Sequence, residues 1–337
     1  MYPEFFRFKM NLRGNSARLR SKSTFSRRRC AMATCQPAIF NDMGKYQWYV
    51  HLSRGDGADL GGIKSAISDC RSNCDALGIN LVIGLGPTLL ADLTDDVPGD
   101  FQPYHTVESI DGSGREAKGT QEELLLWMTH DEKDLVWKAQ WDARMALIAS
   151  GMSVARETPT FIYGESLDMT GFIDGTGNPE DEDQPAVAII PDGEAGAGGS
   201  FIIAQRWVHD LVAWEKQDVP TQEVNFGRTK ADSTRLDEQA PHSHLSHVEL
   251  REGETADASK PKRDEIARRS TPYAFHDGTV GLYFMAFCKT QAPFRERMDA
   301  MYGRNGQVRD MLTDFSNPAS GSYYFAPSVE CLDSSLA

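Results

Sequence analysis

The chain has 337 residues, 40% of them hydrophobic, and 35 Lys and Arg against 49 Asp and Glu give it a formal net charge of −14. That apolar content supports a real core in one large domain or two ordinary ones, and no run approaches the roughly 18 consecutive apolar residues of a membrane span. Nine of the basic residues and one acid, Glu4, lie in residues 1–31, so the rest of the chain holds 26 basic against 48 acidic residues, net −22, a balance that repels nucleic acid and anionic lipid.

Residues 1–31 are basic, serine-containing and nearly free of acids, the composition of an organelle transit peptide. The same composition suits an upstream start, with Met32 as the alternative first residue, or a basic nucleic-acid arm, which the acidic body would oppose. The segment is expected to be disordered or cleaved and is set aside from the fold. The six cysteines contain no Cys-x-x-Cys or zinc-ribbon spacing, so a reducing compartment is the default: the cytoplasm, or an organelle if the leader is a transit peptide.

After the leader, Tyr46–Leu52 reads as a strand, Ile63–Cys74 as a helix and Asn80–Leu85 as a second strand, followed by a polar Gly/Pro/Asp-rich loop. Glu122–His130 reads as a strand. Glu132–Ser150 reads as a helix, with Leu135, Ala139, Ala143 and Leu147 recurring at helical spacing, and a last strand lies around Thr160–Tyr163. The order β-α-β-β-α-β is the ferredoxin-like motif, an antiparallel sheet with both helices on one face. A second copy is sketched from Ser200–Gln205, a helix near Val208–Lys216, a strand at His247–Leu250, Gly281–Cys288, a helix near Ala292–Tyr302 and Ser322–Phe325. The fold expected is therefore α+β, with two tandem ferredoxin-like domains at 32–165 and 166–330, and the polar stretch Arg251–Asp257 is expected to be a solvated loop.

The stretch Gly171-Phe172-Ile173-Asp174-Gly175-Thr176-Gly177-Asn178-Pro179 fixes one carboxylate inside a glycine-rich turn. Downstream, Pro241-His242-Ser243-His244-Leu245 offers an imidazole and Ala267-Arg268-Arg269-Ser270-Thr271-Pro272-Tyr273 a guanidinium. In this order the three segments resemble the dye-decolorizing peroxidases, heme enzymes that consume hydrogen peroxide, and the bacterial-type branch most closely. The resemblance continues through Gln205-Arg206-Trp207, Gly227-Arg228-Thr229-Lys230, Gly281-Leu282-Tyr283-Phe284 and Ser322-Tyr323-Tyr324-Phe325, covering most of the chain after about residue 165. It implies heme b as cofactor and tandem ferredoxin-like domains. It also implies hydrogen peroxide plus a reducing phenolic or dye-like donor as substrates, oxidised by one-electron steps through a ferryl intermediate, and assembly as a homo-oligomer.

The resemblance implies roles by position. Asp174 is the proton shuttle and Arg268 the cation that stabilises the leaving oxygen, a role suited to a group that stays charged at any working pH. Beside that guanidinium Asp174 is expected to stay ionised over a wide range. His244 is the axial ligand of the iron, with Asp314 nominated as the acid behind it. Ser270 places a hydroxyl in the peroxide pocket, Arg228 pairs a heme propionate, Phe284 packs on the porphyrin, and Gly175 and Thr176 belong to the heme-binding turn. The stretch from Arg251 to Glu265 makes the spacing from His244 to Arg268 longer than in the bacterial relatives.

Other readings stay open on the residues alone. A heme-handling protein would use the same His244 with no need of Asp174 and Arg268. His242, His244 and His247 could instead collect zinc or copper, although on a strand His247 would point away from the other two. Six Trp and ten Tyr offer relay sites for an oxidising equivalent, and the sequence does not choose among them.

Overall fold

A computed structural model describes residues 33–249 and 265–337; the basic leader and the loop expected at Arg251–Asp257 lie outside them. The first half contains β1 (Tyr46–Arg54), α1 (Leu60–Leu77), β2 (Asn80–Leu85), α2 (Pro87–Leu93), β3 (Val107–Glu108), β4 (Glu116–Ala117), β5 (Leu124–His130), α3 (Lys133–Ala149) and β6 (Met152–Phe161). Helix α1 starts where the Asp59 side chain accepts from the Gly61 N–H and stops at Gly78, whose left-handed backbone (φ 68°) closes the last turn. Its apolar stripe of Ile63, Ile67, Cys70 and Cys74 is buried, which is why the 3.6-residue period was visible.

The second half contains α4 (Gln184–Ala188), β7 (Ser200–His209), α5 (Leu211–Trp214), α6 (Val219–Phe226), α7 (His244–Val248), β8 (Ala267–Arg268), β9 (Thr271–Ala274), β10 (Val280–Cys288), α8 (Ala292–Met301), β11 (Ser316–Pro318), β12 (Ser322–Ala326) and α9 (Val329–Leu336). The main sheet runs β6-β1-β5-β2-β12-β7-β10-β8, with β9 also on β10. Each half therefore has the strand order of the ferredoxin-like motif, and Phe325 pairing with Leu85 joins them edge to edge. The α+β expectation holds.

Alternation along the strands gives each half two faces. One, carrying Val50, Leu52, Ile83, Phe201 and Ile203, packs under the helices. The other, carrying Tyr49, Val82, Trp127, Ile202, Tyr283 and Tyr324, forms a second buried cluster. There Tyr49 of β1 stacks on Tyr283 of β10 with ring centroids 3.6 Å apart, so the helix-free faces of the two halves meet.

Four sequence readings need correction. The segment after β2 is not all loop: Pro87 opens α2, whose Leu89, Leu90 and Leu93 are buried. Strand β6 starts at Met152, not near Thr160, its alternation masked by half-buried residues. Strand β7 runs on to His209, so the helix expected near Val208–Lys216 shrinks to the single turn α5, and α6 follows it. Of the strand expected at His247–Leu250, Leu250 lies outside the described residues and His247–Val248 end a helix, α7, which Ser243 caps by accepting from the Ser246 N–H at 3.3 Å. Strands β8 and β9, which pair with β10, take its place.

Candidate functional site

The turn that carries Asp174 follows β6 and doubles back on itself. Leu167 bridges Ile173, the Asp174 N–H donates to Ser166 O at 2.8 Å and the Asp168 N–H to Phe172 O at 2.8 Å. Gly171 makes the reversal possible: its φ is +86°, and a Cβ there would lie 2.7 Å from Lys230 Cε. The Asp174 carboxylate accepts from the Gly175 N–H at 2.7 Å and lines a cavity between the helical face of the second half-sheet and helices α6, α7 and α8.

Strand β8 delivers Arg268 to the same cavity, and the turn holds it there. Asn178 donates from Nδ2 to Arg268 O at 3.0 Å and accepts the Arg268 N–H on Oδ1 at 2.9 Å. This paired clamp ties the acid's turn to the cation's strand. In the sequence Asn178-Pro179 read only as turn chemistry, and nothing local signals its long-range partner.

His244 opens α7 and faces the cavity from the helical side. Its Nδ1 meets Asp310 Oδ2 at 2.6 Å, and that carboxylate is fully buried. Asp310 Oδ1 also accepts from the Leu312 N–H at 2.9 Å, so both acceptor oxygens are committed. Among the described residues His244 Nε2 has no hydrogen-bond partner. The acid behind His244 is thus Asp310 and not Asp314, which is taken by Arg309 at 3.0 Å and Arg115 at 3.3 Å. The two acids stand four residues apart, and only the tertiary path distinguishes them.

The other expected residues divide. Phe284 of β10 lines the cavity together with Leu282, Ile203 and Trp207. Ser270 does not line it, although strand alternation puts it on the same side as Arg268, and its Oγ is buried without a partner. Arg228 is off the lining: it donates to Glu249 at 2.9 Å and to Ser233 O at 2.9 Å. Gly175 and Thr176 are exposed, Thr176 bonding Ser233 at 2.9 Å. The histidine cluster does not form a metal set among the described residues; the His247 ring meets the backbone carbonyls of Ser243 and Val308, each at 2.7 Å.

A second acid–imidazole pair, unforeseen in the sequence, lines the cavity: Asp168 Oδ1 and His209 Nε2 lie 3.1 Å apart, and His209 Nδ1 meets the Ser316 hydroxyl at 2.8 Å. Burial pushes the Asp168 carboxyl up, but His209 and Thr170 outweigh it and hold it below its usual range. Asp174 differs. Burial pushes its carboxyl above the usual carboxylate range and Asp168 adds to this, with Arg268 opposing. Arg268 favours the ionised form of Asp174 as expected, and desolvation opposes it.

The cavity is walled mostly by apolar side chains with a few polar groups among them, a character that suits an organic ligand. Among the described residues Arg268 Nε and the Nε and Nη2 of Arg235 are buried without hydrogen-bond partners, as is Glu249 Oε2. Arg235, Arg228 and Glu249 form an ion-pair cluster at 3.4 and 2.9 Å, and a Cβ at Gly177 would touch both Glu249 and Arg268. Buried donors of this kind await an anion.

The profile of the C-terminal part of Dyp-type peroxidases matches residues 165–331. A dye-decolorizing peroxidase of Brevibacterium linens is 29% identical over 262 residues, 76% of this chain and 68% of the relative; one of Mycobacterium tuberculosis is 28% identical, with 68% of each chain covered. Among solved structures, a dye-decolorizing protein from V. cholerae superposes with a TM-score of 0.77 at 29% identity, over 88% of this chain and 99% of its own. DyPB from Rhodococcus jostii RHA1 gives 0.80 at 26% identity over 90% and 98%, and a variant of it was solved in complex with heme. Sequence, fold and profile agree in likening the chain to the dye-decolorizing peroxidases, bacterial members among them.

Proposed function

We propose that this chain is a heme-dependent peroxidase that reduces hydrogen peroxide and oxidises phenolic or dye-like donors in one-electron steps. The observation that carries the reading is the sharing of one apolar cavity by Asp174 and Arg268 with the Asp310-backed His244. The residues present fit heme. The cavity is mostly apolar, and among the described residues His244 Nε2 is uncommitted and Arg268 Nε, on the lining, is partnerless and suits a propionate carboxylate. His244 would hold the iron, Phe284 the porphyrin face and Arg268 the propionate side. Bound heme supplies the iron at which the O–O bond is cleaved and the means of holding oxidising equivalents.

The chain's own groups account for the proton chemistry. Heterolysis of peroxide needs a proton moved from the inner to the outer oxygen and the charge on the departing oxygen stabilised. Asp174, when ionised, takes the first proton and returns it; its raised pKa makes that return easier than for an exposed carboxylate. Arg268, fixed by Asn178, supplies several donors in a rigid plane to the departing oxygen. On the other side Asp310 accepts the Nδ1 proton of His244, which sets the tautomer and makes Nε2 the donor atom and a stronger base. Arg268→Leu is the test: peroxide turnover should be lost while heme binding is retained, and turnover persisting in that variant contradicts the role.

The division at residue 165/166 and assembly as a homo-oligomer form part of the same reading. The exposed stripe of Trp137, Trp141, Met145 and Ile148 on α3 supports the latter as an apolar surface available for contact. No described helix is long and apolar enough to cross a membrane.

A further inference from the structure

The helix-free face of the sheet holds a polar cluster that the proton chemistry above does not use. His51 of β1 meets the Tyr324 hydroxyl through Nδ1 at 2.6 Å and the Tyr283 hydroxyl through Nε2 at 2.5 Å. All three side chains are buried, at 1% exposure or less. Joining two half-sheets does not require this, because apolar rings would fill the space without the cost of burying an imidazole and two hydroxyls. Tyr283 lies between Leu282 and Phe284, which line the cavity, so its ring stands on the reverse of the cavity wall. It also stacks on Tyr49, which in turn lies parallel to Trp127 with centroids 6.0 Å apart.

A neutral imidazole has one N–H and one lone pair, so His51 donates to one tyrosine and accepts from the other. Burial holds the His51 pKa well below its ordinary value, and the charges of Arg156 and Arg206 add to this, which keeps the ring neutral and its lone pair available. Burial likewise keeps the Tyr283 hydroxyl protonated. A phenol that loses an electron becomes a strong acid, and it needs a base already in place to lose its proton to.

We propose that Tyr283, with His51 as its base and Tyr324 as the second partner of that base, is a proton-coupled store for an oxidising equivalent of the peroxidase reaction. Tyr283 gives one electron to the equivalent that peroxide reduction generates, and its phenolic O–H breaks. The proton binds the His51 Nε2 lone pair, leaving a tyrosyl radical beside an imidazolium whose Nδ1–H stays bonded to Tyr324. One electron from an external donor returns the proton and restores the pair. Tyr49 and Trp127, both buried, extend the set of oxidisable rings.

The proposal rests on the peroxidase reading, and the test separates the two. Heme-loaded protein is mixed with hydrogen peroxide without a donor, frozen and examined by electron paramagnetic resonance, alongside protein grown on ring-deuterated tyrosine. A radical signal narrowed by the deuterated ring is expected in the unaltered protein. It should fall to background in Tyr283→Phe, which keeps the ring and its stack, and persist in Tyr324→Phe, which leaves the base in place. A signal insensitive to tyrosine deuteration, undiminished in Tyr283→Phe, or absent while peroxide is consumed overturns the store. Failure of the unaltered protein to consume peroxide overturns the peroxidase reading beneath it.

Discussion

Replacing Asp310 by Asn tests the support behind His244 at the level of single atoms. The carboxylate is fully buried and both of its oxygens accept hydrogen bonds, from the His244 ring at 2.6 Å and from the Leu312 N–H at 2.9 Å. An amide of the same shape has one acceptor and one donor. Either the amide NH2 faces the Leu312 N–H, leaving a donor unsatisfied at a turn start, or it faces Nδ1 and forces the other tautomer, placing a proton on the nitrogen that should bind iron. Removing a carboxylate behind a ligating histidine costs about 10- to 100-fold in metal affinity, or roughly 1.4–2.7 kcal/mol. Titration of the apoprotein with heme, followed by its absorption band, should show weakening in that range, and the iron–imidazole stretch should fall in frequency as the ring loses its anionic partner. A change of less than about twofold in affinity with an unmoved stretch would refute the assignment of Asp310.

Asn178→Ala removes both bonds that hold the Arg268 backbone; misplacing a reacting group by about 1 Å can cost on the order of 100-fold, so kcat/KM for peroxide should fall by about 10- to 100-fold with heme affinity little changed. Since burial raises the Asp174 pKa, its proton-accepting form is lost as pH falls through that raised value. The acid limb of peroxide cleavage, read by stopped-flow absorption, should therefore lie above the usual carboxylate value of about 3.9; a limb at or below it contradicts the effect ascribed to burial. Gly171→Ala puts a side chain into a left-handed backbone 2.7 Å from Lys230 Cε, which should cost at least about 1–2 kcal/mol in urea unfolding and weaken peroxide turnover through the turn that carries Asp174.

Much of the fold was legible because the periodicity matched the burial. The stripe of α1 and the apolar run of β2 have one environment each, and Asn80–Leu85 could be read to the residue. Legibility failed where the tertiary setting overrides local pattern. Ser243 caps α7, and without that cap bond in view His247–Leu250 read as strand. In the site, Asp174, His244, Arg268 and Phe284 line one cavity. Asp310, Asn178 and the Asp168–His209 pair did not announce themselves, since each acts through a partner at least 40 residues away in the chain. Ordinary types at ordinary spacings carry no mark of such a partner. Asp174 shows the same limit in energy: sequence placed a guanidinium near it, but only the folded chain reveals how much water it has lost.

The most direct test is the absorption spectrum of the heme-loaded protein beside that of His244→Ala, each recorded with and without added imidazole. The protein should show the Soret band of a histidine-held heme. In the variant the band should shift or disappear and imidazole should restore it by filling the vacated place at the iron. A variant whose spectrum matches the unaltered protein would contradict the account at its centre.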